Sequence, residues 1–186
     1  MIATYVEELV IRRMQVTDLE QVLAIDQASF ALPWPASAYR YELLENPNSV
    51  QWVAEIKPVE ANPLIVGMIV TWIILDEAHI ATVAVRPDFR GQGIAPHLVC
   101  IALADAIRRG CTQATLEVRA GNLTAQCLYR RFGFQVAGVR PRYYRDNNED
   151  AWIMTITGLG DHYLSWLEEG DWSNPPVNPG PETRSP

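Results

Sequence analysis

A short glycine-containing segment near the middle of the chain has the composition of a phosphate-binding turn. It reads Arg90-Gly91-Gln92-Gly93-Ile94-Ala95 and stands between an apolar run and a long stretch with helical spacing. Backbone N–H groups at the start of a helix have no intrahelical partners, and the helix dipole adds about half a positive charge there. Glycines let a backbone approach an anion closely. These features predict a pyrophosphate site, although an ordinary tight turn that caps a helix has the same composition.

Two common phosphate-binding motifs do not match this segment. No lysine followed by serine or threonine comes after the glycines, as a P-loop requires. The pair Gly91 and Gly93 lacks the third glycine and the βαβ setting of a dinucleotide-binding fold. The anion site therefore belongs to a different kind of strand–turn–helix unit.

Apolar periodicity predicts the elements that position this turn. Strands are predicted at residues 5–13, 50–56, 64–75, 79–85, 115–119, 134–139 and 151–157. Helices are predicted after a cap formed by Thr17 and Glu20, over residues 37–45, from Gly93 to Gly110, and over residues 124–131. The second to fourth strands are typical of an antiparallel meander, and Asn147-Asn148 predicts a turn between the last two strands.

Composition restricts the class of protein. The chain has 186 residues, of which 48% are hydrophobic and 20% charged, as in ordinary soluble domains. Three cysteines without CxxC spacing and three scattered histidines predict neither a disulfide framework nor a metal site. A net charge of −7 disfavours direct nucleic-acid binding. Because no apolar run reaches roughly 18 residues and the N-terminus lacks signal-peptide features, we expect no membrane partner and a cytoplasmic protein.

The glycine segment resembles the GNAT acetyltransferase superfamily, whose motif is Arg/Gln-x-x-Gly-x-Gly/Ala. Val85-Arg86-Pro87 also stands where that family has Val-x-Pro. The resemblance implies acetyl-CoA as cosubstrate and a pantetheine arm held by the backbone of Val83, Ala84 and Val85. It implies a pyrophosphate surrounded by Arg90, Gly91, Gln92, Gly93, Ile94, Ala95 and Pro96. Pro96 departs from the family, because proline is tolerated in the first helical turn but cannot donate a hydrogen bond to a phosphate.

Amide formation from an amine and a thioester needs a proton acceptor for the amine and a proton donor for the leaving thiolate. A more specific resemblance, to the bacterial ribosomal-protein-alanine N-acetyltransferases of the RimI type, lies in residues 116–122, 125, 128–129 and 132–134. It implies that Glu117 accepts a proton, that Tyr129 donates one and that Asn122 contacts acetyl-CoA. The residues alone favour a strand carboxylate or salt-bridge partner for Glu117 and a core aromatic for Tyr129. Asn122 alone is most simply a loop residue or a helix cap.

Two further segments resemble the same enzymes and concern the substrate. Residues 30–35 resemble their Phe-Pro-Trp segment, and residues 140–154 resemble their Arg-x-x-Tyr-Tyr…Glu-Asp-Ala…Met ending. Flat side chains with a polar tip can shape a peptide groove, which makes Trp34, Tyr143 and Tyr144 candidate substrate-binding residues. The alternative is that Trp34 packs into the core and that the tyrosines stabilise a hairpin.

Together these patterns predict a single-domain, GNAT-like α/β fold with a mixed, mostly antiparallel sheet flanked by helices. We expect an acetyltransferase domain at residues 1–158 and an extension at 159–186 with a short helix and a disordered, proline-rich tail. The predicted reaction acetylates the N-terminal α-amine of a protein, most specifically the N-terminal alanine of a bacterial small-subunit ribosomal protein. Other protein N-termini, a small-molecule amine, or acetyl-CoA binding without turnover are the alternatives. An acetyl-enzyme on Cys127 is disfavoured, because residues two apart on a helix, such as Cys127 and Tyr129, face different sides.

Overall fold

The computed structural model describes residues 8–57 and 62–176. Its strands are β1 Glu8–Arg13, β2 Ser49–Lys57, β3 Leu64–Ile74, β4 Glu77–Val85, β5 Gln113–Arg119, β6 Gln135–Tyr144 and β7 Glu149–Thr157. Its helices are α1 Leu19–Ser29, α2 Ala36–Leu44, α3 Ile94–Arg108, α4 Leu123–Arg131 and α5 Asp161–Glu169. Short 3-10 helices at Val16–Asp18 and Pro87–Phe89 precede α1 and α3.

The strands form one sheet in the hydrogen-bonded order β1-β2-β3-β4-β5-β7-β6. β1 with β2, β2 with β3, β5 with β7 and β6 with β7 pair antiparallel, whereas β4 and β5 pair parallel. Parallel neighbours need a crossover connection, and the chain between β4 and β5 contains α3. The predicted mixed, mostly antiparallel α/β fold is confirmed. Within the described residues, no helix has both the length and the apolar character needed to cross a membrane.

The chain forms two compact units, and β4 and α3 each contribute residues to both of them. The first unit contains the described residues up to Trp72 together with Ala81–Ala102, and the second contains Ile73–Ile80 and the described residues from Leu103 onward. Buried side chains of the first unit include Val22, Ile25, Tyr39, Val53 and Met68. Those of the second unit include Leu116, Phe132, Phe134, Met154 and Ile156.

Two predicted element bounds are wrong for identifiable reasons. The cap at Thr17 does not form, because the Asp18 carboxylate accepts the Gln15 N–H at 2.7 Å and starts a 3-10 turn before α1. A carboxylate is a stronger acceptor than a hydroxyl. The strand predicted to end at Val139 continues to Tyr144, because β6 resumes pairing with β7 after an irregularity in register. Residues 5–7 of the first predicted strand lie outside the described residues.

The predicted short helix in the C-terminal extension is confirmed as α5. Tyr163, Trp166 and Leu167 are buried, and the Tyr163 hydroxyl donates to the Phe132 carbonyl oxygen at 2.5 Å. Trp172, which follows α5, is also buried and donates its indole N–H to the Leu167 carbonyl at 3.0 Å. The first part of the extension is therefore packed, and the predicted tail beyond residue 176 lies outside the described residues.

Candidate active site

The two glycines of the predicted phosphate turn adopt left-handed backbone conformations. The φ angle is +76° at Gly91 and +81° at Gly93, a region that glycine enters without a steric penalty. A Cβ built on either residue meets no atom within 4 Å. The glycines are thus required by the backbone conformation of the turn and not by crowding within the protein, and the space beside them is open.

The helix that follows the turn is anchored by close packing on β3. Ile94 and Leu98 are buried at 3% and 0% exposure. A Cβ on Gly67 would lie 3.0 Å from Leu98 Cδ1 and 3.1 Å from Ile94 Cγ2. Gly67 therefore lets the start of α3 approach the sheet. Sequence reasoning did not single it out, although a glycine inside a continuous apolar strand often marks such an approach.

The turn has the features that a pyrophosphate requires. α3 has no acidic residue in its first turn, so nothing there offsets the positive end of its dipole. Pro96 is the third residue of α3, which leaves Ile94 and Ala95 as the first-turn residues that carry an N–H. Arg90 braces the turn, because its Nε donates to the Val85 carbonyl at 3.0 Å and its Nη2 to Ser29 Oγ at 3.1 Å. The residues present therefore fit acetyl-CoA.

Alanine at Gly93 tests the conformational requirement. A left-handed conformation costs a residue with a Cβ about 1–2 kcal/mol, so we expect Gly93→Ala to lower the free energy of unfolding by that amount and to weaken acetyl-CoA binding. Gly160→Ala is the matched control, since the space around Gly160 is equally open but its φ is −178°. Denaturant unfolding and calorimetric titration measure both quantities. Equal effects of the two substitutions would refute this explanation.

Glu117, the predicted proton acceptor, lies at the centre of a charged cluster. Its Oε2 is 3.0 Å from His79 Nε2 on β4, and its Oε1 is 3.2 Å from Arg140 Nη2 on β6. The Glu117 side chain is 12% exposed. Glu117 is therefore a salt-bridge partner, as the alternative interpretation predicted. Its carboxylate nevertheless stays partly accessible, which a role in proton transfer also requires. In the described part of the chain, no group of three or more His, Cys, Asp or Glu is arranged to hold a metal.

Tyr129, the predicted proton donor, lies on α4 and is 6% exposed. Burial, with a further contribution from Tyr144, raises its pKa above the ordinary range of tyrosine. The phenol therefore stays protonated at neutral pH and can donate. Its ring packs edge-on against Phe134 at 5.8 Å, so the core-aromatic interpretation holds for the ring without excluding a role for the hydroxyl.

Asn122 caps α4, as its alternative interpretation predicted. Its side-chain oxygen accepts the Ala125 N–H at 3.1 Å. Gln126, fully buried, donates its side-chain amide to the carbonyl oxygens of Arg119 and Ala120 at 3.0 and 2.8 Å. These two contacts fix the start of α4 against the end of β5, and so connect the elements that carry Tyr129 and Glu117. The predicted contact of Asn122 with acetyl-CoA stays a prediction.

The two predicted substrate tyrosines occur on β6, held by a network that the sequence did not reveal. Tyr143 is 45% exposed, and its ring meets that of Tyr144 edge-on at 5.2 Å. The Arg119 guanidinium lies over the Tyr144 ring at 3.9 Å and also binds Asp146 and Glu149 at 3.0 and 3.1 Å. Burial raises the pKa of Tyr144 to about 12, and Tyr144 is close enough to influence both Glu117 and Tyr129 electrostatically.

Glu149 connects this hairpin to the turn between β5 and α4. Hydrogen bonds from Asn147, from the Gly121 N–H and from Arg119 lower its pKa from an ordinary value near 4.5. A lowered pKa stabilises the fold above the unfolded-state value, and that stability is lost as the pH falls through the folded-state value. We therefore expect Glu149→Gln to melt below the wild type at neutral pH, with a gap that narrows below about pH 4.5. Thermal melts across this range test the prediction, and a constant gap would contradict it.

Trp34, the third predicted substrate residue, packs against the core of the first unit. Its ring stacks on Trp72 at 6.3 Å and tilts against Tyr39 at 5.3 Å. Its backbone N–H donates to Asp26 Oδ2 at 2.7 Å, and Asp26 also accepts the Tyr39 hydroxyl at 2.7 Å. Burial raises the pKa of Asp26. The packing of Trp34 on Trp72 and Tyr39 agrees with the core-packing alternative. A substrate role for the half-buried Trp34 stays a prediction.

Comparisons with known proteins agree on one family. The model of the acetyltransferase (GNAT) family matches residues 19–134. A Bacillus subtilis (strain 168) protein, named provisionally as a [ribosomal protein bS18]-alanine N-acetyltransferase, is 37% identical over 147 residues, which are 79% of this chain and 94% of that protein. The crystal structure of the ribosomal-protein-S18-alanine N-acetyltransferase from Escherichia coli superposes with a TM-score of 0.72 at 29% identity, over 81% of this chain and 94% of that one. The NatC complex bound to Gag peptide and CoA gives a TM-score of 0.73 at 26% identity, covering 81% and 98%.

Proposed function

Because this chain belongs to the acetyltransferase (GNAT) family and is an acetyl-CoA-dependent N-acetyltransferase, we propose that it acetylates the N-terminal α-amine of a protein. The acceptor we propose is the N-terminal alanine of the small-subunit ribosomal protein bS18, the substrate in the names of the Bacillus and Escherichia relatives. We assign this activity to a domain of residues 1–158.

Two contacts of Arg140 within the second unit support the proposal. Arg140 binds Glu117 at 3.2 Å and also lies over the Tyr143 ring at 5.6 Å. It therefore joins the predicted proton-accepting carboxylate to the aromatic hairpin predicted to contact a peptide. Tyr143 is 45% exposed, so its ring is available for contact with a peptide whose N-terminus reaches Glu117.

In the proposed reaction, Glu117 and Tyr129 carry out opposite proton transfers. Glu117 forms the proton-accepting end, where the α-ammonium must lose a proton before it can attack. Tyr129 forms the proton-donating end, because its buried phenol keeps its proton at neutral pH. Acetyl-CoA supplies the acetyl group as a thioester, and the residues proposed to hold it are Val83 to Val85, residues 90–96 and Asn122.

A substrate panel tests the proposal. The chain is incubated with acetyl-CoA and with three amines: an N-terminal bS18 peptide that begins with alanine, the same peptide with a blocked N-terminus, and a polyamine. We expect mass spectrometry to find one acetyl group on the free peptide, at its first residue, and none on the other two. Preferred acetylation of the polyamine, or of a lysine in the blocked peptide, would contradict the proposal.

A second set of peptides separates bS18 from other protein substrates. Peptides that keep the first residue but change the following five test whether the exposed Tyr143 surface contacts them. If all are acetylated equally, the enzyme acts on N-terminal alanine in general. Binding of acetyl-CoA without acetylation of any amine would instead support the non-catalytic alternative.

A further inference from the structure

Arg119, the last residue of β5, stands two residues beyond Glu117 on the same strand. Because side chains alternate between the two faces of a strand, Arg119 and Glu117 belong to the same face of the sheet. Both residues pair with β7, Glu117 opposite Ile153 and Arg119 opposite Ala151. The Arg119 side chain is 26% exposed. The predicted proton acceptor and this arginine are therefore carried by one paired stretch of strand.

The turn between β6 and β7 is bound by the guanidinium of Arg119. Nη2 donates to both carboxylate oxygens of Asp146 at 3.0 Å. Nη1 donates to Asn147 Oδ1 at 3.2 Å and to Glu149 Oε2 at 3.1 Å. Hydrogen bonds between an arginine and carboxylates are stronger than those between neutral groups. One side chain at the end of β5 thus holds the end of the hairpin.

The same guanidinium also contacts the aromatic part of the hairpin. Its Cζ lies 3.9 Å from the centre of the Tyr144 ring, a favourable cation–π contact. The Tyr144 ring meets Tyr143 edge-on at 5.2 Å, and Tyr143 is 45% exposed. The register between β6 and β7 is irregular from Arg140 to Tyr144, so backbone pairing constrains these rings less than it constrains the rest of the hairpin. Contact with Arg119 therefore helps to fix the two tyrosines relative to Glu117.

We infer that Arg119 is a positioning residue for the acceptor peptide. It holds the Tyr143 and Tyr144 rings where they contact the peptide residues that follow the reacting α-amine, and no proton transfer is assigned to it. Lysine cannot replace it, since an ammonium lacks the planar fork that binds two carboxylates and packs on a ring. The inference rests on the proposed function, because it concerns how the same site holds a protein N-terminus.

Arg119→Lys tests the inference, because lysine keeps the positive charge but loses the geometry of the guanidinium. Two acceptors are compared at saturating acetyl-CoA: the alanine-first bS18 peptide and alaninamide, which has the same α-amine but no further residues. We expect kcat/KM for the peptide to fall about 10- to 100-fold, the loss expected from a displaced binding group. The loss should lie in KM, with kcat nearly unchanged, and alaninamide should be acetylated as by the wild type.

Arg108→Lys is the matched control for this substitution. Arg108 also binds a glutamate, with 2.7 Å between its Nη2 and Glu168 Oε1, but the two side chains are 51% and 58% exposed. The control should keep the wild-type kinetics. If Arg119→Lys lowers kcat/KM equally for the peptide and for alaninamide, Arg119 only supports the fold and the inference fails. A peptide KM within about threefold of the wild type would also overturn it.

Asp146→Asn gives an independent variant, since it weakens the same contact from the hairpin and leaves β5 unchanged. We expect a smaller rise in the KM of the peptide. When the two substitutions are combined, the effect should not exceed that of Arg119→Lys alone, because both act through one contact. Fully additive effects would show that Asp146 and Arg119 act separately, which would contradict the inference.

Hydrogen exchange of the free protein provides a measurement without turnover. We expect the backbone amides of residues 141–150 to exchange faster in Arg119→Lys than in the wild type, and those of α5 to exchange equally. Unchanged exchange in the hairpin would overturn the inference. If the wild type acetylates no peptide, the proposed function fails and the inference fails with it. An active wild type together with an Arg119→Lys variant of unchanged peptide KM contradicts the inference alone.

Discussion

Tyr129→Phe is expected to lower kcat by about 100- to 10,000-fold, the usual range for loss of a general acid. The substitution removes only the hydroxyl, because phenylalanine keeps the ring that packs edge-on against Phe134 at 5.8 Å. The thiolate would then leave without a protein proton donor. Steady-state kinetics with the alanine peptide measure the effect, and calorimetry should find acetyl-CoA affinity nearly unchanged.

Tyr41→Phe is the control for this prediction, since Tyr41 lies on α2 and is 50% exposed. It should leave kcat at the wild-type value. If Tyr129→Phe were equally silent, the hydroxyl would have no part in the reaction and Tyr129 would be only a core aromatic. A fall in melting temperature without a fall in kcat would support the same conclusion.

Glu117→Gln is expected to produce the second large loss, about 100- to 10,000-fold in kcat/KM. The amide keeps the size of the side chain but has no negative charge and cannot accept the proton of the α-ammonium. It also leaves Arg140 without its carboxylate partner. The measurement is again peptide acetylation, and acetyl-CoA affinity should change little, because the substitution lies outside the residues proposed to hold it.

The control for Glu117→Gln is Glu168→Gln on α5. Glu168 also binds an arginine, with 2.7 Å between its Oε1 and Arg108 Nη2, but its side chain is 58% exposed. Exposed ion pairs contribute little to stability, so this variant should match the wild type in both turnover and melting temperature. Equal turnover of Glu117→Gln and Glu168→Gln would remove Glu117 from the mechanism.

Local patterns predicted most of the fold. The long apolar runs of β2 to β4 and the helical spacing after Gly93 depend on neighbours along the chain, and both were correct. The errors arose where a contact outside the local sequence pattern determined where an element begins or ends. At Thr17, the nearby Asp18 replaced the expected hydroxyl cap, and Asp18 is itself held by Arg12 at 2.7 Å. The extent of β6 depended on pairing with β7 beyond an irregular register, which no local pattern reveals.

The sequence predicted the types of groups in the site better than their contacts. Glu117, Tyr129 and the glycine turn were singled out by composition together with family resemblance. The partners of Glu117 were missed, because His79 and Arg140 are 38 and 23 residues away and meet it only through the sheet. Arg119 and Gly67 were missed for the same reason, since their roles depend on pairing and packing between elements.

The central claim is that Glu117 accepts a proton from the substrate amine while Tyr129 donates one to the departing sulfur. The most direct measurement is a crystal structure of the full chain with a conjugate of CoA and an alanine-first peptide. We predict that the Tyr129 hydroxyl lies within hydrogen-bond reach of the sulfur and that the Glu117 carboxylate faces the amine nitrogen, directly or through one water. A conjugate whose sulfur and nitrogen both lie away from these side chains would contradict the claim.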